Sequence, residues 1–166
     1  FIHLLKQYYY VGGMPEAVLT FINQKDFKKV REKQLGILAA YEQDFSKHAP
    51  HDIVPRIRLV WQSLPSQLAK ENRKFIYGNL KNGARAREFE LAIEWLTDAG
   101  LVHKVSRCNK PAMPLIAYAA LSDFKLYLLD VGLLAAMGNI DIQTFITEQS
   151  LFEEFRISAI FLISPE

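Results

Sequence analysis

The sequence predicts a mainly α-helical fold with a small antiparallel β-sheet, in the α+β class. Three observations carry that prediction. Apolar residues recur three and four apart over most of the first hundred positions. From Ala84 to Tyr118 a helical pattern (Phe89, Ala92, Ile93, Leu96) meets a stop at Asp98-Ala99-Gly100. Two short β-type runs then follow, separated by a Pro-containing turn. Helix, strand, turn and strand in that order describe the back half of a winged helix, so the expected architecture is a helical bundle leading into a winged-helix-like unit.

Each element has its local reason. Phe1 to Val11 mixes Ile2, Leu4, Leu5 and three tyrosines in a short amphipathic helix that Gly12-Gly13-Met14-Pro15 breaks. Pro15 suits the first turn of the next helix, Glu16 to Asn23. Asp26 is placed to cap the longest helix, whose buried face runs through Phe27, Val30, Gln34, Ile37, Leu38, Tyr41 and Phe45. Lys47 and His48 close it, where cations suit the negative end of the helix dipole. Asp52 can cap a further helix with Ile53, Ile57, Val60, Trp61 and Leu64 inside. Leu64-Pro65-Ser66 is expected to turn the chain into a short helix over Gln67 to Asn72, as in a helix-turn-helix. Lys74 to Tyr77 reads as a short strand. After the Ala84–Asp98 region, Leu101 to Val105 and Leu115 to Ala119 are expected to pair across a wing at Cys108 to Pro114. Phe124, Leu126 and Leu128 suggest a third strand, and Asp130 to Met137 a last helix. The expected organisation is an N-terminal helical segment over 1–50, a winged-helix-like domain over 51–137 and a C-terminal helix with an apolar tail over 138–166.

Composition narrows the function classes. With 50% apolar and 23% charged residues the chain reads as globular. Its net charge of +2 argues for no particular partner. The lone Cys108 excludes an internal disulfide framework and suits a reducing, cytoplasmic setting. Apolar runs such as Ile157 to Ile163 fall short of the ~20 residues a membrane-spanning helix needs, so no membrane partner is expected. Phe1 opens inside an apolar pattern, without an initiator Met or a basic leader, and the chain is expected to be part of a longer protein.

No catalytic constellation emerges. The eight glycines never take the spacing of a phosphate-binding loop, and Gly12-Gly13 reads as a helix breaker. His3, His48, His51 and His103 are scattered, and Pro50 disrupts any helix that would align His48 with His51 on a metal. Glu42 with Asp44, and Glu153 with Glu154, lack a third ligand. Ser46 and His48 point to different helix faces. The expectation is a chain without enzymatic activity, cofactor or metal. Tyr8-Tyr9-Tyr10 and the pair Trp61 and Trp95 sit beside helical apolar spacing and read as packing residues.

Charge is uneven along the chain. From Lys70 to Lys110 nine basic residues face five acidic ones. Lys81, Arg85 and Arg87 at the start of the organising helix, with Lys104, Arg107 and Lys110 on the wing, form a candidate nucleic-acid interface that can track a phosphate backbone. Arg85 and Arg87 crowd a helix end that is already positive, which costs stability unless an anion or carboxylate sits there. The outward arc of the same helix carries Arg87 with Glu90, Glu94 and Asp98, and would repel phosphate. The opposing reading pairs the cations with Glu71, Glu88 and neighbouring acids on a solvated surface.

Five blocks, YYYVGGMPEAV (Tyr8–Val18), AAYEQDFSKHAP (Ala39–Pro50), LPSQLAKENRKFIYG (Leu64–Gly78), ARAREFELAIEWLTDAGLV (Ala84–Val102) and FKLYLLDVGLLAAM (Phe124–Met137), together resemble a prokaryotic family. These are AAA-type ATPases in which a domain of unknown function follows the ATPase core. The resemblance implies an ATPase module before this stretch, a winged-helix-like middle portion and a nuclease-like region after it. No Walker motif is present here, so ATP hydrolysis transfers to no residue. Leu151 to Arg156 begins as the family's next segment does, and ISAIFLISPE then departs from it. The implied role is a non-catalytic accessory domain whose partners are the ATPase core of the same protein and DNA. The alternative is a protein-interaction or docking module that couples the ATPase to protein partners.

Overall fold

The computed structural model describes residues 2–69, 74–110 and 112–143. The described residues form six α-helices and a two-stranded antiparallel sheet, confirming the mainly helical α+β class. The helices are α1 (Ile2–Val11), α2 (Pro15–Gln24), α3 (Phe27–His48), α4 (Val54–Ala69), α5 (Ala86–Asp98) and α6 (Val131–Met137). The strands are β1 (Val102–Cys108) and β2 (Ala119–Leu128), and short 3-10 turns cover Tyr77–Asn79 and Leu115–Tyr118.

Local chemistry sets most boundaries. Pro15 starts α2. The Asp26 carboxylate accepts the Lys28 and Lys29 N–H groups at the start of α3, at 2.8 and 3.4 Å. Gly100 takes a left-handed φ of 70° just beyond α5 and turns the chain into β1.

The main core joins the second half of α3 to α4, α5, the ribbon and α6. At its centre Phe45 packs edge-on between Trp61 and Trp95, with ring centroids 5.4 and 5.7 Å away. Smaller clusters hold the N-terminal helices: Tyr9 and Tyr10 with Val131, and Val11 with Ala17 and Val30.

Three local expectations are corrected. Leu64-Pro65-Ser66 is not a turn, because α4 runs unbroken through Pro65. Pro65 forfeits one backbone bond, but buried Trp61, Leu64 and Gln67 pin both sides of it, and the Gln67 side chain exchanges two hydrogen bonds with the Ile76 backbone (2.8 and 3.1 Å). Gln67 to Ala69 therefore belong to α4, and the rest of the expected second helix, Lys70, Glu71 and Asn72, lies outside the described residues. Lys74 to Tyr77 is no strand, although the Phe75 N–H donates to the Phe124 carbonyl of β2 at 2.7 Å.

The expected three-strand ribbon is a two-strand one. Ala119–Leu128 is a single strand, and Leu115–Tyr118 is a 3-10 turn. Arg107 pairs with Ala120 while Ser106 pairs with Phe124, so Leu121, Ser122 and Asp123 bulge out between the two pairs. That bulge breaks the period-2 pattern and makes one strand read as two. Of the C-terminal helix and apolar tail expected over 138–166, everything from residue 144 onward, including the apolar run Ile157 to Ile163, lies outside the described residues.

Candidate nucleic-acid interface

The start of α5 brings three of the six candidate cations together. Arg85 is the N-cap residue, Arg87 follows in the first turn, and Lys81 approaches from the preceding loop. The positive helix end does receive a carboxylate, supplied by the helix itself. Glu88 accepts the Arg85 backbone N–H at 3.2 Å, and its own N–H donates to the Arg85 carbonyl at 3.0 Å. Lys81 Nζ lies 2.7 Å from the Glu88 carboxylate and also stands over the Phe89 ring. The Lys81 ammonium, then the Arg85 N–H, hold the Glu88 carboxyl below its ordinary range.

The other three cations stand on the ribbon. Lys104 of β1 lies over the Phe124 ring, 4.5 Å from its centroid. Arg107 Nη1 is 3.7 Å from Asp123, whose carboxylate also takes Lys74 at 3.1 Å. The bulge in β2 is what carries Asp123 to this place. Lys110, in the loop between the strands, stands over the Tyr118 ring, and its carbonyl accepts the Cys108 thiol at 3.0 Å. Lys81 and Arg107 are therefore paired with acids of the chain itself. Arg85, Arg87, Lys104 and Lys110 have exposed side chains and no ion pair among the described residues.

A groove of about 300 Å³ lies between the outer face of α5 and Lys104. Glu90, Glu94 and Asp98 line it at helical spacing, with Ile93 and Tyr77 beside them. Burial, and secondarily Glu90, raise the Tyr77 phenol above its ordinary range. The three carboxylates have no ion pair among the described residues.

A second polar junction joins the start of α6 to the Gly12-Gly13 corner. Asp130, 7% exposed, caps α6 by accepting the Leu133 N–H at 2.8 Å. Its other oxygen accepts the Gly13 N–H at 2.6 Å. Burial raises its pKa, and the N–H groups of Gly13, Leu133 and Gly132 pull it part of the way back. Gly12, at φ 75°, leaves no room for a Cβ beside the Asp130 carboxylate. The Gly12-Gly13 break and the LLDVG stretch thus form one structural contact, which neither block discloses separately. The only sequence signal for it was the glycine pair itself, a feature that often marks close backbone approach.

Among the described residues, no three His, Cys, Asp or Glu side chains gather where they could hold a metal ion. No helix among them is long and apolar enough to cross a membrane.

Residues 2–144 match the family described as a domain of unknown function, DUF8612. The chain belongs to that family. No curated protein and no solved structure matches the DUF8612 chain. Its first matched helix is α1 and its last is α6, so both partners of the Asp130 contact fall inside the family's span.

Proposed function

We propose that this DUF8612 chain is a non-catalytic, winged-helix-like accessory domain of a cytoplasmic AAA-type ATPase, acting as a docking module between the ATPase core and other proteins. It works without a cofactor of its own. The order α5, β1, long loop, β2 supports the winged-helix reading, and the five sequence blocks support the ATPase setting. The observation that carries docking is the outer face of α5. The helix end that would attract phosphate is occupied by Glu88, while Glu90, Glu94 and Asp98 face a groove with no cation paired to them among the described residues. Light scattering of the chain mixed with the separately expressed ATPase portion tests this. A complex is expected, and Glu90→Lys with Glu94→Lys should abolish it. No association, or association that ignores the charge reversal, would refute docking through this face.

A second reading, DNA binding through the helix start and wing, is favoured by Arg85 and Arg87, whose guanidinium groups have no carboxylate partner among the described residues. It requires binding of duplex DNA that weakens steeply with salt. Replacing Arg85 and Arg87 by Ala should flatten that salt slope by about 0.9 for each phosphate that is no longer neutralised. Salt-insensitive binding, or none at low ionic strength, rules it out.

A further inference from the structure

Two separate packing clusters share α6. Leu133, Leu134 and Ala136 lie in the main core, whereas Val131 packs against Tyr9 and Tyr10 of α1. Every residue from Val131 to Ala136 is buried. A helix of seven residues has little stability by itself and keeps its form through its neighbours and its cap. The cap residue, Asp130, also holds Gly13, 117 positions away in sequence. Beside that hydrogen bond the chain passes so close that a Cβ on Gly132 would lie 2.6 Å from the Gly12 nitrogen.

The corner is fixed from a third side. Fully buried Gln34 of α3 donates through Nε2 to the Tyr10 and Val11 carbonyls, at 2.8 and 3.0 Å, and so satisfies the end of α1. One residue before Asp130, the Leu129 N–H donates to the Leu101 carbonyl at the base of the ribbon, at 3.1 Å. A continuous series of contacts therefore leads from the end of α1, through the Asp130 carboxylate and the Leu129 backbone, to the start of β1.

We propose that α1, the Gly12-Gly13 corner, α6 and the base of the ribbon open and close as one cooperative unit, with the Asp130 contact as the coupling element. Pulling α1 away removes the Gly13 donor from a buried carboxylate and strips the backbone wall from Gly132. It also uncovers Tyr9, Tyr10 and Val131 together. α6 cannot keep its form through that loss, and its release frees Leu129 from Leu101. A displacement imposed on α1 consequently reaches the ribbon instead of ending in a frayed helix.

Native-state hydrogen exchange on the whole chain, at increasing sub-denaturing urea, tests the proposal. The amides of α1, α6 and Leu129 should share one opening free energy and one urea dependence. Asp130→Ala should accelerate all three groups by a common factor, on the order of tenfold, while Gly36→Ala leaves their ratios unchanged. If α1 exchanges through an opening of smaller urea dependence than α6, or if Asp130→Ala accelerates one group alone, the coupling does not exist. Should Asp130→Ala fail to fold, Asp130→Asn supports the same comparison, and the urea dependence of the unmodified chain decides without either variant.

Discussion

A single substitution, glycine to alanine, should act with opposite sign at two helical positions of this fold. Gly132 and Gly36 both lie inside helices, α6 and α3, where alanine is the better helix former by about 1 kcal/mol. At Gly36 a Cβ meets nothing within 4 Å, so the propensity gain should appear almost undiminished, as roughly 0.5–1 kcal/mol of added stability. At Gly132 the Cβ would lie 2.6 Å from the Gly12 nitrogen and 2.7 Å from the Gly12 Cα and the Val11 carbonyl carbon. These are backbone atoms, which cannot rotate aside as a flexible side chain could. Overpacking of this kind costs about 1–3 kcal/mol, and displacing α1 also strains the Gly13 to Asp130 hydrogen bond, so a net loss of about 1–2 kcal/mol remains after the propensity gain. For a chain of this size each kcal/mol moves the melting temperature by about 2–4 °C. Urea titration of the two variants beside the parent, with unchanged urea dependence, reads both signs. A neutral or stabilising Gly132→Ala would show that α1 and α6 do not approach so closely. A destabilising Gly36→Ala would show that something touches α3 at that point.

Three further outcomes follow from the packing and the charges. Phe45→Ala should cost about 3–5 kcal/mol in urea titration, because Phe45 is fully buried and contacts both Trp61 and Trp95; a loss under about 1 kcal/mol would contradict that arrangement. Gln67→Met should cost about 1–3 kcal/mol in the same assay, since it leaves the Ile76 N–H and carbonyl unpaired beside α4; an unchanged midpoint would mean that water replaces the amide freely. Asp130 should add a pH dependence of known sign. Burial raises its folded pKa above the ordinary value of about 3.9, so the native state holds the proton more tightly than the unfolded one. The stability this confers is complete below the ordinary value and is lost as pH rises through the raised one. The difference in urea midpoint between the parent and Asp130→Asn should therefore vary across that window and level off above it; a constant difference would disprove the assignment.

The helical part of the fold is legible because it rests on short-range chemistry. Asp26, Pro15 and Gly100 each act within four residues of themselves, and the three-and-four spacing of Val30, Gln34, Leu38 and Phe45 names the buried face of α3 directly. What is not legible depends on distant partners. Pro65 reads as a turn until Gln67 is seen holding Ile76 and Trp61 is seen in the core. Ala119–Leu128 reads as two strands because the three bulged residues are recognisable only from their missing partners on β1. Asp130 reads as a helix start, and only the fold shows that its second oxygen belongs to Gly13.

The candidate interface illustrates the same limit in electrostatic form. Counted along the chain, the stretch from Lys70 to Lys110 has a mild cationic excess, nine basic residues against five acidic ones. Counted in space, Glu88 takes Lys81, while Asp123, which lies outside that stretch, takes Arg107 and Lys74. Charge in a segment is therefore a poor measure of charge on a surface, because the neutralising group need not be a sequence neighbour. What survives the pairing among the described residues is asymmetric along α5: guanidinium groups without an ion pair at its start and carboxylates without one along its outer face. A polyanion laid across this helix would meet attraction at one end and repulsion along the length, whereas a protein surface can present both signs at a spacing of one or two helical turns. That difference makes the charge pattern of α5 a sharper discriminator between the two proposed partners than any net charge of the domain.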